Sequence, residues 1–573
     1  MRPSICSMEQ YCWFCVLLGL ETSDYLPLSH TLRDFKDSSK TQVSVQFGRG
    51  CWFCRFYMMM SCLTARTMEA CFRGCSHVFE LVGQFSPAGT GALDDAKLPN
   101  LNKAQSTSTG SETISRKDFP ADFKFGCATS ALQTEGSGTE GGRGPAIWDK
   151  YIQDGTPGIK IAVDSYHRYK EDVQLLKAIG VDTYRFSMSW SRILPGGTID
   201  AGINQEGIDF YNNFINELIS NGITPFVTLF HFDLPTALST KYNGFLSIDI
   251  VDDFKAYADL CFKTFGDRVK YWATINEPQV WGEYGFTNTD PNANAATDPF
   301  LSTHHVLLAH AAAAKLYKNT YQASQGGEIG IPLVVEWFEP FEDTMPDKAA
   351  ARRAFDFLVG WLVEPLVYGD YPFIMKALVK DGLPEFTDEQ KELVKGSFDY
   401  IGVNYYTSRF AAPIAIVDGE EITSFDQYQH VNITVDGPDG EPIGPATPGS
   451  SEIYVYPEGL KKALILLKEY GNPKFYITEN GYPDKRDDTI PLSTALIDDA
   501  RIHHIRDHLT AIKEAMNTGT NVKGYLMWAL LDCMELGSGY QVRFGLNYTD
   551  YLNNLNRTAK KSAGWLKTFL ASK

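Results

Sequence analysis

The sequence predicts an α/β fold for residues 118–573, a (β/α)8 TIM barrel with enlarged βα loops. Short apolar runs alternate there with longer segments of helical periodicity, and eight such runs can be counted. Several of the runs are apolar on both faces, as expected for strands of a parallel sheet that helices cover. Polar residues recur where the runs end, and barrels carry their chemistry at such strand ends.

Each strand of the predicted barrel corresponds to one apolar run. In chain order the runs are FKFGCATS (123–130), DTYRFSMS (182–189), TPFVTLF (224–230), KYWATIN (270–276), GEIGIPLVV (327–335), FDYIGVNYY (398–406), KFYITEN (474–480) and KGYLMWALL (523–531). A doubly wound open sheet is the alternative fold. It is disfavoured because FGCATSALQTEG, after the first strand, lacks the tight Gly-X-Gly turn of a phosphate-binding loop.

The segment between the second and third strands illustrates the helical periodicity. Its apolar stripe consists of Ile208, Tyr211, Phe214, Ile215, Leu218 and Ile219. Asn221 and Gly222 follow this stripe and predict the end of the helix, since both residue types are common after the last helical turn.

Residues 1–117 differ in character and are predicted to be a separate N-terminal extension. Eight of the eleven cysteines lie between Cys6 and Cys75, and no period of 2 or 3.6 is sustained there. CWFC occurs twice, but the irregular spacing of the cysteines disfavours a zinc site. Residues 85–117 are rich in Ser, Thr, Gly and Asn, as linkers are. We interpret the extension as disordered or as an artefact of the gene model.

Composition excludes some partners and leaves the compartment open. A net charge of −18 disfavours nucleic acid and anionic membrane surfaces as partners. No run approaches the roughly 20 apolar residues of a membrane-spanning helix. The sequons at Asn432, Asn547 and Asn556 permit a secretory or vacuolar route, whereas the absence of a clear signal peptide or retention signal fits the cytoplasm equally well. The three cysteines after residue 117 are predicted to be buried thiols.

Polar side chains stand at the ends of seven of the eight predicted strands. They are Gln133 and Glu135, Arg185, His231 and Asp233, Asn276 and Glu277, Asn404 and Tyr406, Glu479, and finally Trp528 and Glu535. Each of them alone is more often a structural group than a functional one. Their recurrence at equivalent points of a repeated unit favours a function. Metal-ligand spacing and a serine nucleophile elbow are both missing from this set.

Glu277 and Glu479 are separated by about 200 residues, but a barrel would place them across one pocket. Two carboxyl groups on either side of a bond are the machinery of glycoside hydrolysis. One must be protonated and the other ionised, so their environments must separate the two pKa values. Arg185 can keep Glu479 anionic, and the Tyr406 hydroxyl can donate a hydrogen bond to it. Trp528 offers an apolar face to a sugar ring, and Gln133, His231 and Glu535 can bind its hydroxyl groups.

Several motifs make the chain similar to a known family. They include GRGPAIWD, TLFHFDLP, FGDRVKYWATINEP, FDYIGVNYYTS, YITENG and MWALLDCMELGSGYQVRFG. From about Asp118 onward the chain resembles the retaining β-glucosidases of glycoside hydrolase family 1, plant type.

The resemblance implies a role for each site residue. Glu277 would be the general acid and base, Glu479 the nucleophile, and Asn276 the partner of the sugar 2-hydroxyl. Arg185, Tyr406 and Asn404 would support them, with Tyr406 also facing the substrate. Gln133, His231, Trp528 and Glu535 would bind the sugar. The implied substrate is a small β-glucoside, and the resemblance implies no cofactor. Relatives often self-associate, so a homo-oligomer is compatible with the resemblance.

Three features of the sequence depart from the family pattern. Leu536 and Phe232 stand where tryptophan is usual, and DCMEL replaces the commoner DNFEW. The loop after TINEP is short and lacks the cysteine pair of many plant relatives. These changes affect the pocket and its rim, so they bear on substrate identity. They leave open a catalytically silent sugar-binding barrel, and a transglucosidase would use the same covalent intermediate.

Overall fold

The computed structural model describes residues 114–136, 138, 140–149, 162–282, 294–417 and 419–572. The chain divides into two units, Met1–Ser108 and Thr109–Lys573, and the description that follows concerns the second. The predicted extension up to residue 113 and the short loop after TINEP at 283–293 therefore lie outside the described residues.

Eight parallel strands close into a barrel, which confirms the predicted fold. They are β1 Lys124–Ala128, β2 Thr183–Ser187, β3 Thr224–Phe230, β4 Tyr271–Ile275, β5 Glu328–Val334, β6 Tyr400–Asn404, β7 Phe475–Glu479 and β8 Val522–Trp528. Each strand pairs with its neighbours in sequence, and β1 pairs with β8 to close the cylinder. The strand order is thus that of eight successive βα units.

Helices follow each strand and cover the barrel. The longer ones are α1 Ser165–Ile179, α2 Gln205–Ser220, α3 Ile250–Phe265, α4 Asp298–Leu316, α5 Met345–Phe355, α6 Trp361–Tyr368, α7 Pro457–Lys468, α8 Asp499–Asn517 and α9 Lys561–Ala571. A π-helical turn, Asp356–Gly360, joins α5 to α6. Shorter helices are Ala131–Thr134, Trp190–Ile193, Thr236–Tyr242, Pro278–Val280, Gln322–Gln325, Phe373–Val379, Asp388–Val394 and Leu492–Ala495. In the part of the chain that the structure describes, no helix is long and apolar enough to cross a membrane.

The predicted stripe of the second helix is confirmed except at one position. Five of its six members are buried against the barrel in α2, but Ile219 is 43% exposed. Ile219 lies at the edge of this stripe, about 80° from its centre, and in the last turn of the helix. Asn221 ends the helix, and Gly222 takes the left-handed conformation at φ 76°.

Small additional sheets lie at the loops that leave the barrel. Trp337–Pro340, Ser408–Pro413 and Val431–Thr434 form a three-stranded sheet. Two-stranded pairs join Ala446–Thr447 to Ser450–Tyr454, Asp484–Lys485 to Val542–Arg543, and Asn547–Asp550 to Asn556–Ala559. These loop elements build walls around one end of the barrel.

The barrel interior is apolar toward the amino ends of the strands and polar at their carboxyl ends. Phe226, Ala273, Tyr400, Tyr476 and Leu526 form one interior cluster. Side chains two or four residues further along the same strands, such as Asn404 and Thr478, are polar and buried. Because alternate residues of a strand share a face, these side chains stack above the apolar layer.

Two sequence-based interpretations concern the cysteines and the glycosylation sequons. Cys127, Cys261 and Cys533 are buried free thiols, as predicted. Of the three sequons, Asn547 is only 1% exposed, and its amide donates to the Leu530 carbonyl at 2.9 Å. A glycan therefore cannot be accommodated at Asn547 in the folded protein.

Candidate active site

The polar strand ends meet at one mouth of the barrel. Arg185 lies within β2, Asn404 and Glu479 end β6 and β7, and Asn276 and Glu277 directly follow β4. Trp528 ends β8, and the loop after it brings Glu535 back over the same mouth through a hydrogen bond between the two side chains.

Two neighbours bond the carboxyl group of Glu479. Arg185 Nη1 lies 2.5 Å from Glu479 Oε1, and the Tyr406 hydroxyl donates to Oε2 at 2.8 Å. Arg185 is fully buried and Glu479 is 4% exposed. A carboxylate with a buried guanidinium on one oxygen and a hydroxyl donor on the other is stabilised in its charged form.

A register shift in β7 sets the direction of Glu479. Ile477 is opposite Val403 on β6, but Glu479 is opposite Asn404, so two residues of β7 oppose one of β6. Without the shift, Thr478 would share the interior face with Tyr476 and the next residue would point to the helices. The bulge lets Thr478 bond Asn404 inside the barrel while Glu479 also faces the pocket.

Amide side chains connect Glu479 to Glu277. Arg185 Nη2 donates to Asn276 Oδ1 at 2.5 Å, and Asn404 Nδ2 donates to the same oxygen at 3.2 Å. Asn404 Nδ2 also donates to Glu277 Oε1 at 2.8 Å. The two carboxyl groups are therefore the ends of one short hydrogen-bonded chain that runs through Arg185, Asn276 and Asn404.

The backbone around Glu277 fixes its side chain over the mouth. Glu277 adopts φ 48° and ψ 67°, a left-handed conformation that is uncommon for a residue with a side chain. Its N–H donates to the Pro332 carbonyl at 2.9 Å. Two residues later, the buried Gln279 donates to the Val334 and Leu358 carbonyls. Such strain persists only where surrounding bonds determine it, and it is frequent at functional sites.

The two carboxyl groups have different surroundings. Burial, and next the negative charge of Glu479, raises the pKa of Glu277 to about 8. The Asn404 hydrogen bond and the Arg185 charge act in the opposite direction. Glu479 instead has the direct ion pair with Arg185. Near neutral pH the arrangement can therefore present a proton on Glu277.

Hydrogen-bonding groups and an indole ring form the opposite wall of the pocket. Glu535 Oε1 accepts from Trp528 Nε1 at 3.1 Å, and Oε2 accepts from Gln133 Nε2 at 3.1 Å. The Gln133 amide also donates to the Met534 carbonyl at 2.7 Å. Burial raises the pKa of Glu535 to about 8. This wall can exchange several hydrogen bonds with the hydroxyl groups of a ligand.

His231 connects the Glu535 wall to the network that contains Glu277 and Glu479. Its ring stacks on Trp528 at 5.7 Å between centroids, and its Nε2 lies 3.3 Å from Asn276 Nδ2. Burial and the Arg185 charge lower the pKa of His231 well below its ordinary value. Histidine is therefore neutral here, and since an amide nitrogen only donates, Nε2 is its acceptor.

The unusual residues lie where the sequence indicates. Leu536 packs beside the cluster of Leu132, Met534 and Tyr540, close to the Glu535 wall. Cys533 Sγ lies 3.8 Å from Glu535 Oε1. Phe232 is buried at φ 70° next to His231. The side chain of Leu536 has no N–H to offer a ligand.

Ten of the twelve strand-end residues that the sequence singled out lie in this one network of contacts. Glu135 and Asp233 do not, and Glu135 instead accepts from Arg192 and Tyr211. Two further residues were missed. Thr478 bonds Asn404 through its hydroxyl at 2.6 Å, and Asn480 lies buried directly behind Glu479. Both flank Glu479 in the YITENG motif, and this position in the motif could have indicated them from the sequence.

Comparisons with known proteins agree with this geometry. Residues 115–573 match the family model "Glycosyl hydrolase family 1". The chain is 48% identical over 485 residues to Beta-glucosidase 12 of Oryza sativa subsp. indica, covering 81% of this chain and 94% of that protein. It is 47% identical over 494 residues to raucaffricine-O-beta-D-glucosidase of Rauvolfia serpentina, covering 79% and 91%.

A solved structure is similar as well. A mutant of the rice Os3BGlu6 β-glucosidase in a covalent complex with Glc superposes with a TM-score of 0.76 at 40% identity, covering 80% of this chain and 99% of that one. The matched family model spans the whole barrel, including every strand end that carries a site residue. The chain belongs to glycosyl hydrolase family 1.

Proposed function

We propose that the protein is a retaining β-glucosidase in which Glu479 is the nucleophile and Glu277 the general acid and base. The observation that carries the assignment is the asymmetry of the two carboxyl groups. Glu479 is ion-paired with buried Arg185, whereas burial raises the pKa of Glu277 to about 8. A nucleophile must be ionised and a general acid protonated, so the two environments match the two roles.

In the first step, Glu479 attacks the anomeric carbon and the bond to the aglycone oxygen breaks. Glu277 gives its proton to that oxygen, so the aglycone leaves as a neutral alcohol. The product on the protein is a glycosyl ester of Glu479 with inverted configuration. Tyr406 and Arg185 then lose part of their interaction with the carboxylate, which favours its release in the next step.

In the second step, Glu277 is ionised and takes a proton from water. The water attacks the anomeric carbon, the ester bond to Glu479 breaks, and the sugar leaves with its original β configuration. This sequence of events requires carboxyl groups about 5 to 5.5 Å apart, whereas an inverting enzyme would need about 6.5 to 9.5 Å.

The sugar would lie between the Glu535 wall and the Asn276 side chain. Gln133, His231 and Glu535 would bind its outer hydroxyl groups, and Asn276 its 2-hydroxyl. Trp528 would pack on the ring. We further propose plant glycosides with a specialised-metabolite or oligosaccharide aglycone as substrates. The first of these classes is supported by relatives that are named for raucaffricine and for a furostanol glycoside.

The direct test is release of nitrophenol from a nitrophenyl β-glucoside by the purified protein. Hydrolysis by the wild type, with loss in Glu479→Ala, supports the proposal. No release by the folded wild type would favour a silent sugar-binding barrel. Adding an alcohol acceptor and identifying the products separates hydrolysis from transglucosylation. The anomer released first, followed by NMR, shows whether configuration is retained.

The pH profile should have a basic limb that belongs to Glu277. Activity requires this group protonated, so kcat/KM for a glucoside with a poor leaving group is expected to fall as pH rises through about 8. Asn404 stabilises the charged form of Glu277 by hydrogen bonding, so Asn404→Leu should move the limb to higher pH. A limb that stays in place in Asn404→Leu would contradict this. Glu535→Gln, which removes the other group with a pKa near 8, should retain the limb.

Leu536→Trp is expected to strengthen binding of the glucosyl group. An indole N–H would offer one hydrogen bond to the sugar, worth on the order of 1 kcal/mol, or roughly a fivefold lower KM. Leu536→Phe is the control, since it adds an aromatic ring without a donor. Equal KM values for the two variants would show that the ring and not the N–H is responsible. Comparing glucosides with galactosides would report any change of sugar preference.

We also propose that the activity resides in the barrel, with residues 1–117 dispensable for it. Residues just before 118 nevertheless contact the fold: Arg116 donates to the Phe119 and Ala121 carbonyls, and Ile114 is buried. A chain of residues 109–573 should match the activity of the full chain. A chain of residues 118–573 should unfold at a temperature a few degrees lower, because it loses these contacts. Inactivity of the folded 109–573 chain would assign a function to the extension.

A further inference from the structure

Asn480, the residue after Glu479, has a side chain whose amide nitrogen and oxygen both form hydrogen bonds. It is 1% exposed. Its Nδ2 donates to the Tyr405 carbonyl at 2.7 Å, and its Oδ1 accepts from the Tyr525 hydroxyl at 2.7 Å and from His504 Nε2 at 3.1 Å. These partners come from three different parts of the barrel.

Hydrogen bonds at Asn480 extend the barrel sheet beyond the ends of β6 and β7. The Tyr405 N–H donates to the Glu479 carbonyl at 3.0 Å, and the Trp528 N–H donates to the Asn480 carbonyl at 3.0 Å. The side chain adds the return bond from β7 to Tyr405. The ends of β6, β7 and β8 are thereby held at a fixed separation at the level of the pocket.

The segment that Asn480 holds carries the hydroxyl donor to the nucleophile. Tyr405 precedes Tyr406, whose hydroxyl donates to Glu479 Oε2 at 2.8 Å. The bond from Asn480 to the Tyr405 carbonyl therefore links the backbone of the carboxylate to the backbone of its donor. A displacement of either strand end would change the Tyr406–Glu479 distance and the direction of the carboxylate.

The two donors to Asn480 are neutral and fixed in orientation. Burial, with the charges of His508 and Arg501, lowers the pKa of His504 well below its ordinary value. Burial raises the pKa of Tyr525 above its ordinary range. Asn480 Oδ1 can only accept, so His504 carries its hydrogen on Nε2. Because neither donor gains or loses a proton at ordinary pH, the amide keeps one orientation.

We propose that Asn480 is a positioning residue for the covalent step: its side chain, oriented by Tyr525 and His504, holds Glu479 and Tyr406 in attacking geometry. The inference rests on the proposed role of Glu479. A buried asparagine that served stability alone would affect all steps in proportion to the folded fraction. A positioning residue affects the attack on the anomeric carbon and leaves sugar binding nearly unchanged.

The test uses the full chain and the rate at which Glu479 is labelled by a 2-deoxy-2-fluoro-β-glucoside with a dinitrophenol leaving group. Fluorine slows both steps, and the good leaving group lets the ester accumulate, so mass spectrometry can locate it. Three variants are compared with the wild type: Asn480→Leu, Tyr525→Phe and Gln322→Met. Gln322→Met is the control. Gln322 donates to the Gly327 carbonyl and to Asp399 at the start of β5 and β6, so this variant loses side-chain hydrogen bonds at the end of the barrel that is far from the pocket.

Asn480→Leu is expected to lower the maximal labelling rate by about 10- to 100-fold, the scale of a sub-ångström to 1 Å misplacement. The concentration for half-maximal rate should change less than threefold. Tyr525→Phe should lower the rate in the same direction by a smaller factor, and Gln322→Met should leave it within twofold. Thermal unfolding of each variant supplies the folded fraction for correction.

Each outcome decides the inference. Labelling of Asn480→Leu at the wild-type rate, or a loss equal to that of Gln322→Met, overturns it. If Asn480→Leu does not fold, Tyr525→Phe decides, and an unchanged rate overturns the inference. A wild type that is labelled elsewhere than Glu479, or not at all, overturns the proposed function and the inference together. A wild type labelled at Glu479 keeps the proposed function whatever the variants show.

Discussion

Replacing Glu479 with alanine is expected to lower turnover of any β-glucoside by roughly 10⁵- to 10⁶-fold, the scale on which covalent enzymes lose activity without their nucleophile. No other carboxyl group bonds Arg185 in the described structure. The loss should appear in kcat for activated and unactivated aglycones alike, because the ester cannot form in either case. Steady-state kinetics with a nitrophenyl and an alkyl glucoside measure this.

An added anion provides a positive control for Glu479→Ala. Azide can enter the space left by the carboxylate and attack the anomeric carbon from the same side. The product would be the α-glucosyl azide, with inverted configuration, since only one displacement occurs. Formation of the β-azide, or no rescue in a folded variant, would contradict the assignment of Glu479.

The stability of the Glu479 variants should depend on what is left beside Arg185. Removing one partner of a buried ion pair typically destabilises by about 3–5 kcal/mol, because the other charge stays buried. Glu479→Gln keeps an acceptor oxygen for the guanidinium and should unfold at a higher temperature than Glu479→Ala. Both should be inactive, which separates the chemical role from the structural one.

Replacing Glu277 with glutamine is expected to lower turnover of glucosides with poor leaving groups by about 10²- to 10⁴-fold. The amide cannot protonate the aglycone oxygen, whereas a dinitrophenolate leaves without help. With dinitrophenyl glucoside the first step should therefore remain fast and the second become slow, since no base activates the water. A burst of dinitrophenol equal to the enzyme concentration would report the accumulated ester.

The two carboxyl variants differ in the configuration that azide produces. In Glu277→Ala, azide should attack the glycosyl ester of Glu479 and release the β-glucosyl azide, with configuration retained. An α-azide from this variant would reverse the two assignments. Loss of activity that is independent of the leaving group would contradict the acid role of Glu277.

Much of the fold could be predicted because it depends on local pattern. All eight predicted strands are present, and most of their ends lie within two residues of the predicted limits. Apolar runs of that length, bounded by polar residues, usually form buried strands in an α/β chain. The α2 stripe was correct where residues face the barrel. Ile219 was wrong because apolar character alone does not fix how far the buried face of a helix extends.

The members of the candidate site and the two partners of Glu479 were predictable, but the contacts that join Glu479 to Glu277 were not. Polar residues at strand ends and their motifs indicated Arg185, Glu277 and Glu479. The bulge in β7, the left-handed conformation of Glu277 and the role of Asn404 as a bridge were not indicated. These features depend on residues far apart in the chain, and no local periodicity carries that information.

The sequence alone determined the number and order of the βα units and the residue types at the strand ends, because hydrophobic periodicity and chemical identity are properties of neighbouring residues. Only the tertiary structure decided that Asn276 and Asn404 join Glu277 to the pair of Arg185 and Glu479. The pKa of Glu277 rises to about 8 because folding removes water from it and brings Glu479 near. Burial and proximity exist only once the barrel has closed, so the division of labour between the two carboxyl groups is a property of the fold.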